Sequence, residues 1–165
     1  MNYILFDSDV RDTLLPFTYT KPVADIRIGI LTIREKWEKR LGLTTTTITA
    51  DYLEEKYPMV EMEENILINA SFCPTESLVE KVKNLSKNEA IFKGEDVLAF
   101  HTTQSQEEVD FDTYTQIEFD EELIQIKNIG DPDLRERLQA AAKAQSEKIN
   151  ANESKMDGKP EGSSL

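Results

Sequence analysis

The feature that most constrains this chain is the junction between an apolar run, Tyr3-Ile4-Leu5-Phe6, and the polar, turn-rich loop that opens with Asp7-Ser8-Asp9. The run is apolar enough for a buried central strand, and Asp7 ends it. Downstream, Ile26, Ile30, Ile33, Trp37 and Leu41 recur at spacings of three and four, while Arg34, Glu35, Glu38 and Lys39 take the opposite face. That spacing predicts an amphipathic helix running out of the loop without a break and stopping at Gly42. Strand, polar loop and helix in that order describe an α/β unit. Strand carboxyl ends and helix amino ends gather backbone N–H groups in one crevice, so the Asp7 loop is the place to look for a phosphorylated ligand. A loop that merely connects two elements satisfies the same pattern.

The rest of the chain extends that architecture. Thr44 to Thr49 is rich in β-branched residues and reads as a second strand, followed by Asp51 as the N-cap of a short helix, Tyr52 to Lys56, closed by Pro58. Asn65 to Asn69 reads as a third strand whose end, Asn69-Ala70-Ser71, shares a rim with the Asp7 loop if the strands are parallel. The acidic residues Glu61, Glu63 and Glu64 between them suit a solvated loop better than a metal site. Thr75 and Glu76 open a helix with Leu78, Val79, Val82 and Leu85 inward. Ala90-Ile91-Phe92 and Val97-Leu98-Ala99-Phe100 flank a hairpin turn, and His101 reads as a surface residue. Thr113 to Phe119 and Leu123 to Ile126 suggest a second hairpin. Together these imply a three-layer, Rossmann-like α/β domain with a mostly parallel, mixed sheet over residues 1–127. A short helical extension over 128–149, capped by Asp131-Pro132, and a polar, disordered tail over 150–165 complete the expected organisation.

Composition narrows the partners. With 32 acidic against 19 basic residues the net charge is -13, which disfavours nucleic acid and anionic membrane surfaces by long-range repulsion. A small phosphorylated ligand is not excluded, because local cations can override the global field. No apolar run approaches the roughly 20 residues that span a bilayer. The single cysteine, Cys73, cannot form an internal disulfide, and a cytoplasmic setting follows as the default.

Within the loop, Arg11, Pro16-Phe17-Thr18 and Pro22 stand in an order that resembles the sugar-1-phosphate nucleotidyltransferase signature G-x-G-T-R-x-x-P-x-T-x-x-x-P-K, with P-x-T-x-x-x-P kept. The stretch from Asp7 to Gly42, with INASF, IFKGEDVLAF and FDTY downstream, is similar to the amino-terminal domain of a divergent branch of that family. The branch comprises bifunctional N-acetylglucosamine-1-phosphate uridylyltransferase/glucosamine-1-phosphate acetyltransferases. Residues 1–127 carry the resemblance, and the acyltransferase β-helix repeats that would follow do not occur, so the chain reads as a truncated or stand-alone relative. The resemblance implies transfer of a nucleotidyl group from a nucleoside triphosphate to a sugar 1-phosphate, with Arg11 and Lys21 holding phosphates and Mg²⁺ bridging them. Asp7, Ser8, Thr18, Arg27, Asn69 and Ser71 would line the substrate site; the metal ligands and oligomeric state are not assigned. Ser8 and Asp9 replace the signature's glycines, Val23 replaces its lysine, and Asn69-Ala70-Ser71 stands where a metal aspartate would be expected. A catalytically inactive nucleotide-sugar-binding or assembly module is therefore the alternative reading.

Overall fold

Asn2–Phe6 forms β1, the strand beside which the sheet is laid out in this computed structural model. The structure describes residues 1–103, 109–126 and Lys143; the expected carboxy-terminal extension and tail lie outside the described residues. After β1 come a short helix α1 (Val10–Thr13), the paired strands β2 (Arg27–Ile28) and β3 (Leu31–Thr32), α2 (Ile33–Leu41), β4 (Thr46–Ile48), β5 (Asn65–Asn69), α3 (Glu76–Lys83), β6 (Glu89–Lys93), β7 (Asp96–Thr102) and β8 (Thr115–Glu118). The main sheet has the order β4-β1-β5-β7-β6-β8. β1 pairs parallel with both β4 and β5, and β6 pairs parallel with β8, while β7 is antiparallel to its neighbours β5 and β6. The sheet is thus mostly parallel and mixed, as expected.

One face of the sheet is covered by α2 and α3, whose Ile33, Trp37, Leu41, Leu78, Val79 and Val82 pack on Tyr3, Leu5, Ile66 and Ile68. Fully burying such side chains contributes on the order of 1.5–3 kcal/mol each, so this layer fixes the register of β1 and β5. On the other face Phe100 meets Phe111 and Tyr114 edge-on, with ring centroids 5.2 and 6.2 Å apart, and the 3-10 turn Phe111–Thr113 forms the third layer among the described residues.

Several expected elements are drawn differently. The helix begins at Ile33, not at the end of the Asp7 loop, because Thr32 and Glu35 form a capping box: Thr32 Oγ1 accepts from Glu35 N and Glu35 returns the bond. Upstream, Gly29 takes φ 74°, which turns the chain into the β2–β3 hairpin and leaves Ile30 at 85% exposure. Ile30 therefore belongs to no helical stripe. At the far end Gly42 does stop α2, with φ 75° and its N–H donating to Glu38 O at 2.8 Å. Asp51 opens a 3-10 turn, Asp51–Leu53, rather than capping a helix over 52–56; Ala50 is its cap, and no side chain bonds there. Leu123–Ile126 is not a strand, since Gln125 makes only an isolated bridge to Phe72. β8 instead pairs parallel with β6. His101 is buried: it faces Ile66 across β5 and β7, and its Nδ1 lies 3.0 Å from Leu85 O. β7 lies inside the sheet and Leu98 to Thr102 are all buried, so His101 is covered whichever face it takes.

Candidate functional site

The parallel pairing brings the ends of β1, β4 and β5 to one rim. Phe6 is in register with Ile48 on one side and Asn69 on the other, so the next residues, Asp7, Thr49 and Ala70, open the rim together. Asp7 N donates to Ile48 O at 3.0 Å and Ala70 N to Phe6 O at 3.0 Å.

Asp7 is the hub. Its Oδ1 accepts from Val23 N at 3.0 Å and its Oδ2 from the Thr49 hydroxyl at 2.7 Å. Arg11 Nε lies 3.5 Å from the same Oδ2, close enough for charge pairing yet without a hydrogen bond of its own. Burial pushes the Asp7 carboxyl above the usual carboxylate range, and the Thr49 and Val23 hydrogen bonds and the Arg11 charge pull against that shift.

Arg11 and Thr18 lock the loop on itself. Arg11 Nη2 donates to Thr18 O at 2.7 Å, and the Thr18 hydroxyl donates back to Arg11 O at 2.8 Å. Thr18 is fully buried, and its hydroxyl is the second donor to the Arg11 carbonyl, beside Leu14 N at 3.1 Å; a Val of the same shape would remove that bond and unpin the loop from itself. The Leu15–Pro16 peptide that precedes this exchange is cis. From across the rim, Tyr52 OH accepts from Arg11 Nη2 at 2.6 Å, and its ring lies under the guanidinium, 5.5 Å from Cζ to centroid.

The structure therefore joins three of the candidate residues, Asp7, Arg11 and Thr18, in one network. Asn69 and Ser71 form a second: Asn69 Oδ1 accepts from Ser71 N at 3.0 Å and Ser71 Oγ at 2.7 Å, while its Nδ2 donates to Val97 O at 3.0 Å. Both residues are buried and tie the end of β5 to the start of β7. Ser8 Oγ is buried and makes no hydrogen bond with the described residues. Lys21 is half-buried just before Pro22. Arg27 sits apart on the exposed β2–β3 hairpin, where Nη1 donates to Ile30 O at 3.1 Å.

Behind the loop, Arg34 on α2 holds the rim's scaffold. It binds Asp25 through Nε and Nη2 at 3.1 and 3.2 Å, Thr45 O at 3.0 Å, and the Thr47 hydroxyl. Asp25 lies in the 3-10 turn Val23–Asp25 that presents the Val23 N–H to Asp7. Thr49 and Tyr52 were not among the residues singled out from the sequence. The pairing of Phe6 with Ile48 is the signal that finds Thr49, because a parallel neighbour of β1 must deliver its next residue beside Asp7.

A cleft of about 360 Å³ adjoins this rim beside β4, lined by Thr47, Ile48, Thr49, Glu54, Pro58 and Met59. A larger one, about 600 Å³, lies among Met1, Met62, Glu63, Glu64, Lys87 and Thr103, where Glu64 pairs with Lys87 at 3.0 Å.

Asp7 is the carboxylate at this rim that magnesium would meet. Each Asp7 oxygen already accepts a hydrogen bond, and among the described residues no group of three or more His, Cys, Asp or Glu could hold a metal ion. These residues do not fit a resident metal cage, although a hard cation that keeps its waters and arrives on phosphates needs only one or two protein ligands. Among the described residues no helix is long and apolar enough to cross a membrane.

A search of curated proteins found no match to the chain. A family model described as sugar nucleotidyl transferase matches residues 3–151, and the chain belongs to that family.

Proposed function

We propose that this protein transfers a nucleotidyl group from a nucleoside triphosphate to a sugar 1-phosphate, with UTP and N-acetylglucosamine 1-phosphate as the pair to test first, giving a UDP-N-acetylglucosamine-type product. Family membership supports nucleotidyl transfer to a sugar phosphate in general terms. The observation that carries the reading is the placement of the Arg11 guanidinium where the loops that follow β1 and β4 meet, bonded to Thr18 O on one and Tyr52 on the other.

In this reaction an oxygen of the sugar phosphate attacks the α-phosphorus, the bond from that phosphorus to its bridging oxygen breaks, and pyrophosphate leaves. Such chemistry asks the protein mainly for positioning and charge neutralisation. Arg11 and Lys21 are the residues we assign to the phosphates, with magnesium entering as part of the nucleotide substrate. Asp7 and Thr18 act by holding Arg11, while Ser8 with its unpartnered hydroxyl, Asn69 and Ser71 edge the same rim. Arg27 is the remaining substrate-side candidate, from its hairpin.

Pyrophosphate release measured with a panel of nucleoside triphosphates and sugar 1-phosphates tests this. Turnover that Arg11→Ala reduces by about 100-fold or more is the expected result, in line with the loss of a charge-stabilising group; no turnover with any pair overturns it.

One observation favours a second reading, a non-catalytic sugar-nucleotide-binding module. Arg11 Nη2, Asn69 and Ser71 already find partners within the protein. A rise in the unfolding midpoint with UTP and magnesium, without turnover, would select that reading.

A further inference from the structure

Among the described residues, Tyr52 is the side-chain partner of Arg11 that sits in solvent. It is 62% exposed, whereas the others, Thr18 and the Asp7 side chain, are buried. It reaches Arg11 from the 3-10 turn Asp51–Leu53, on a different loop from the guanidinium it binds. Its hydroxyl accepts from Nη2 at 2.6 Å and faces Thr18 O at 3.4 Å.

We infer that Tyr52 is an exchangeable partner of Arg11, holding the guanidinium oriented in the empty site and yielding its place to a phosphate oxygen when nucleotide binds. This rests on the assignment of Arg11 to the phosphates. The physical case is a comparison of acceptors. Both bonds have the ionised guanidinium as donor, but a phenol oxygen is neutral while a phosphate oxygen is charged, so only the phosphate adds ion pairing and can be met by two parallel N–H bonds. The buried Thr18 carbonyl cannot leave without unmaking the loop, because Thr18 and Arg11 are bonded in both directions. Asp7 cannot leave without breaking its bonds to Val23 and Thr49. Tyr52 can turn outward and hand its hydroxyl to water, at the loss of the bond it accepts from Arg11 Nη2, the long bond it donates to Thr18 O and an exposed cation–π contact.

Calorimetric titration with UTP and magnesium chloride, on wild type, Tyr52→Phe, Arg11→Ala and the double variant, tests this. Tyr52→Phe keeps the ring and deletes the competing acceptor, so it is expected to bind UTP about three- to tenfold more tightly. Arg11→Ala is expected to bind more weakly, and the double variant to match Arg11→Ala, since the competition between phenol and phosphate is for the Arg11 guanidinium. Circular dichroism and the unfolding midpoint confirm that each variant folds. If Arg11→Ala weakens binding while Tyr52→Phe leaves it unchanged or weakens it, the exchange is overturned and the phosphate assignment stands. If Arg11→Ala has no effect, or neither wild type nor Tyr52→Phe binds, the phosphate assignment is overturned and the exchange falls with it.

Discussion

Replacing Arg34 by Met tests whether the rim depends on a scaffold behind it. Met roughly preserves the stem of the side chain and removes the guanidinium, and with it the paired bonds to Asp25 and those to Thr45 and Thr47. A fully buried ion pair that loses one partner costs about 3–5 kcal/mol. Here the two side chains keep 17% and 22% of their exposure, so the abandoned Asp25 carboxylate can recover part of its hydration, which lowers the cost. The threonine groups also lose donors, at about 0.5–1.5 kcal/mol each. Together these place the loss at roughly 2–4 kcal/mol. At about 3–5 °C per kcal/mol for a domain of this size, the midpoint should fall by roughly 6–20 °C. Urea unfolding of wild type, Arg34→Met, Asp25→Asn and the double variant gives both the loss and the coupling between the two residues. A loss under about 0.5 kcal/mol, with no coupling, would show the network to be a solvated surface contact and would refute the reasoning. Nucleotide affinity should fall too, because the turn that carries Asp25 also supplies the Val23 N–H to Asp7.

Three further outcomes follow from single contacts. Ile30→Ser should change the unfolding free energy by less than about 0.5 kcal/mol, since Ile30 is exposed on the hairpin; a loss of 2 kcal/mol or so, typical of a core position, would return it to the helical stripe. Trp37→Phe should destabilise by about 1–3 kcal/mol in urea titrations, because the indole N–H donates to Phe72 O at 3.0 Å inside the core. For Asp7, whose carboxyl is held above its ordinary range, the folded state keeps its proton to higher pH than the unfolded state does. The stability of wild type relative to Asp7→Asn should therefore be greatest below the ordinary carboxylate range and decline as pH rises through the raised value. A difference that grows with pH over that window in a urea series would show that the Arg11 charge and the hydrogen bonds outweigh burial.

The elements legible in the sequence were those whose periodicity is decided locally. β1, β5, α3 and the β6–β7 pair carry their own apolar patterns and turn residues, and the capping of α3 by Thr75, which accepts from Leu78 N at 3.2 Å, follows from its position. The region between Pro22 and Ile33 is not legible from residue type alone, because Ile26, Ile30 and Ile33 fit a helical spacing that the fold does not use. The capping box at Thr32 and Glu35 and the positive φ of Gly29 override that spacing. His101 misleads for the opposite reason: polarity suggests the surface, while its place in a central strand beneath Leu85 buries it. Leu123–Ile126 has strand-like residues and, among the described residues, no strand neighbour to complete a ladder.

The candidate site shows the same division. Arg11 and Thr18 stood out through motif spacing, and the structure joins them, yet their mutual bonds describe a loop that holds its own shape. What spacing could not supply was the second loop. Thr49 and Tyr52 are separated from Asp7 and Arg11 by more than forty residues of chain and brought to them by one pairing, β1 with β4. Where the family signature relies on glycine backbone beside phosphate, this chain places Ser8 and Asp9, and a side chain at those positions restricts how closely backbone can approach a ligand. If a phosphate enters this rim as proposed, side chains must meet it, and the guanidinium of Arg11 is a cation already set there. On the proposed reading, its grip on a ligand depends on how readily its present acceptors let go, and the exposed phenol of Tyr52 is freer to move than the buried groups that hold Arg11 from behind.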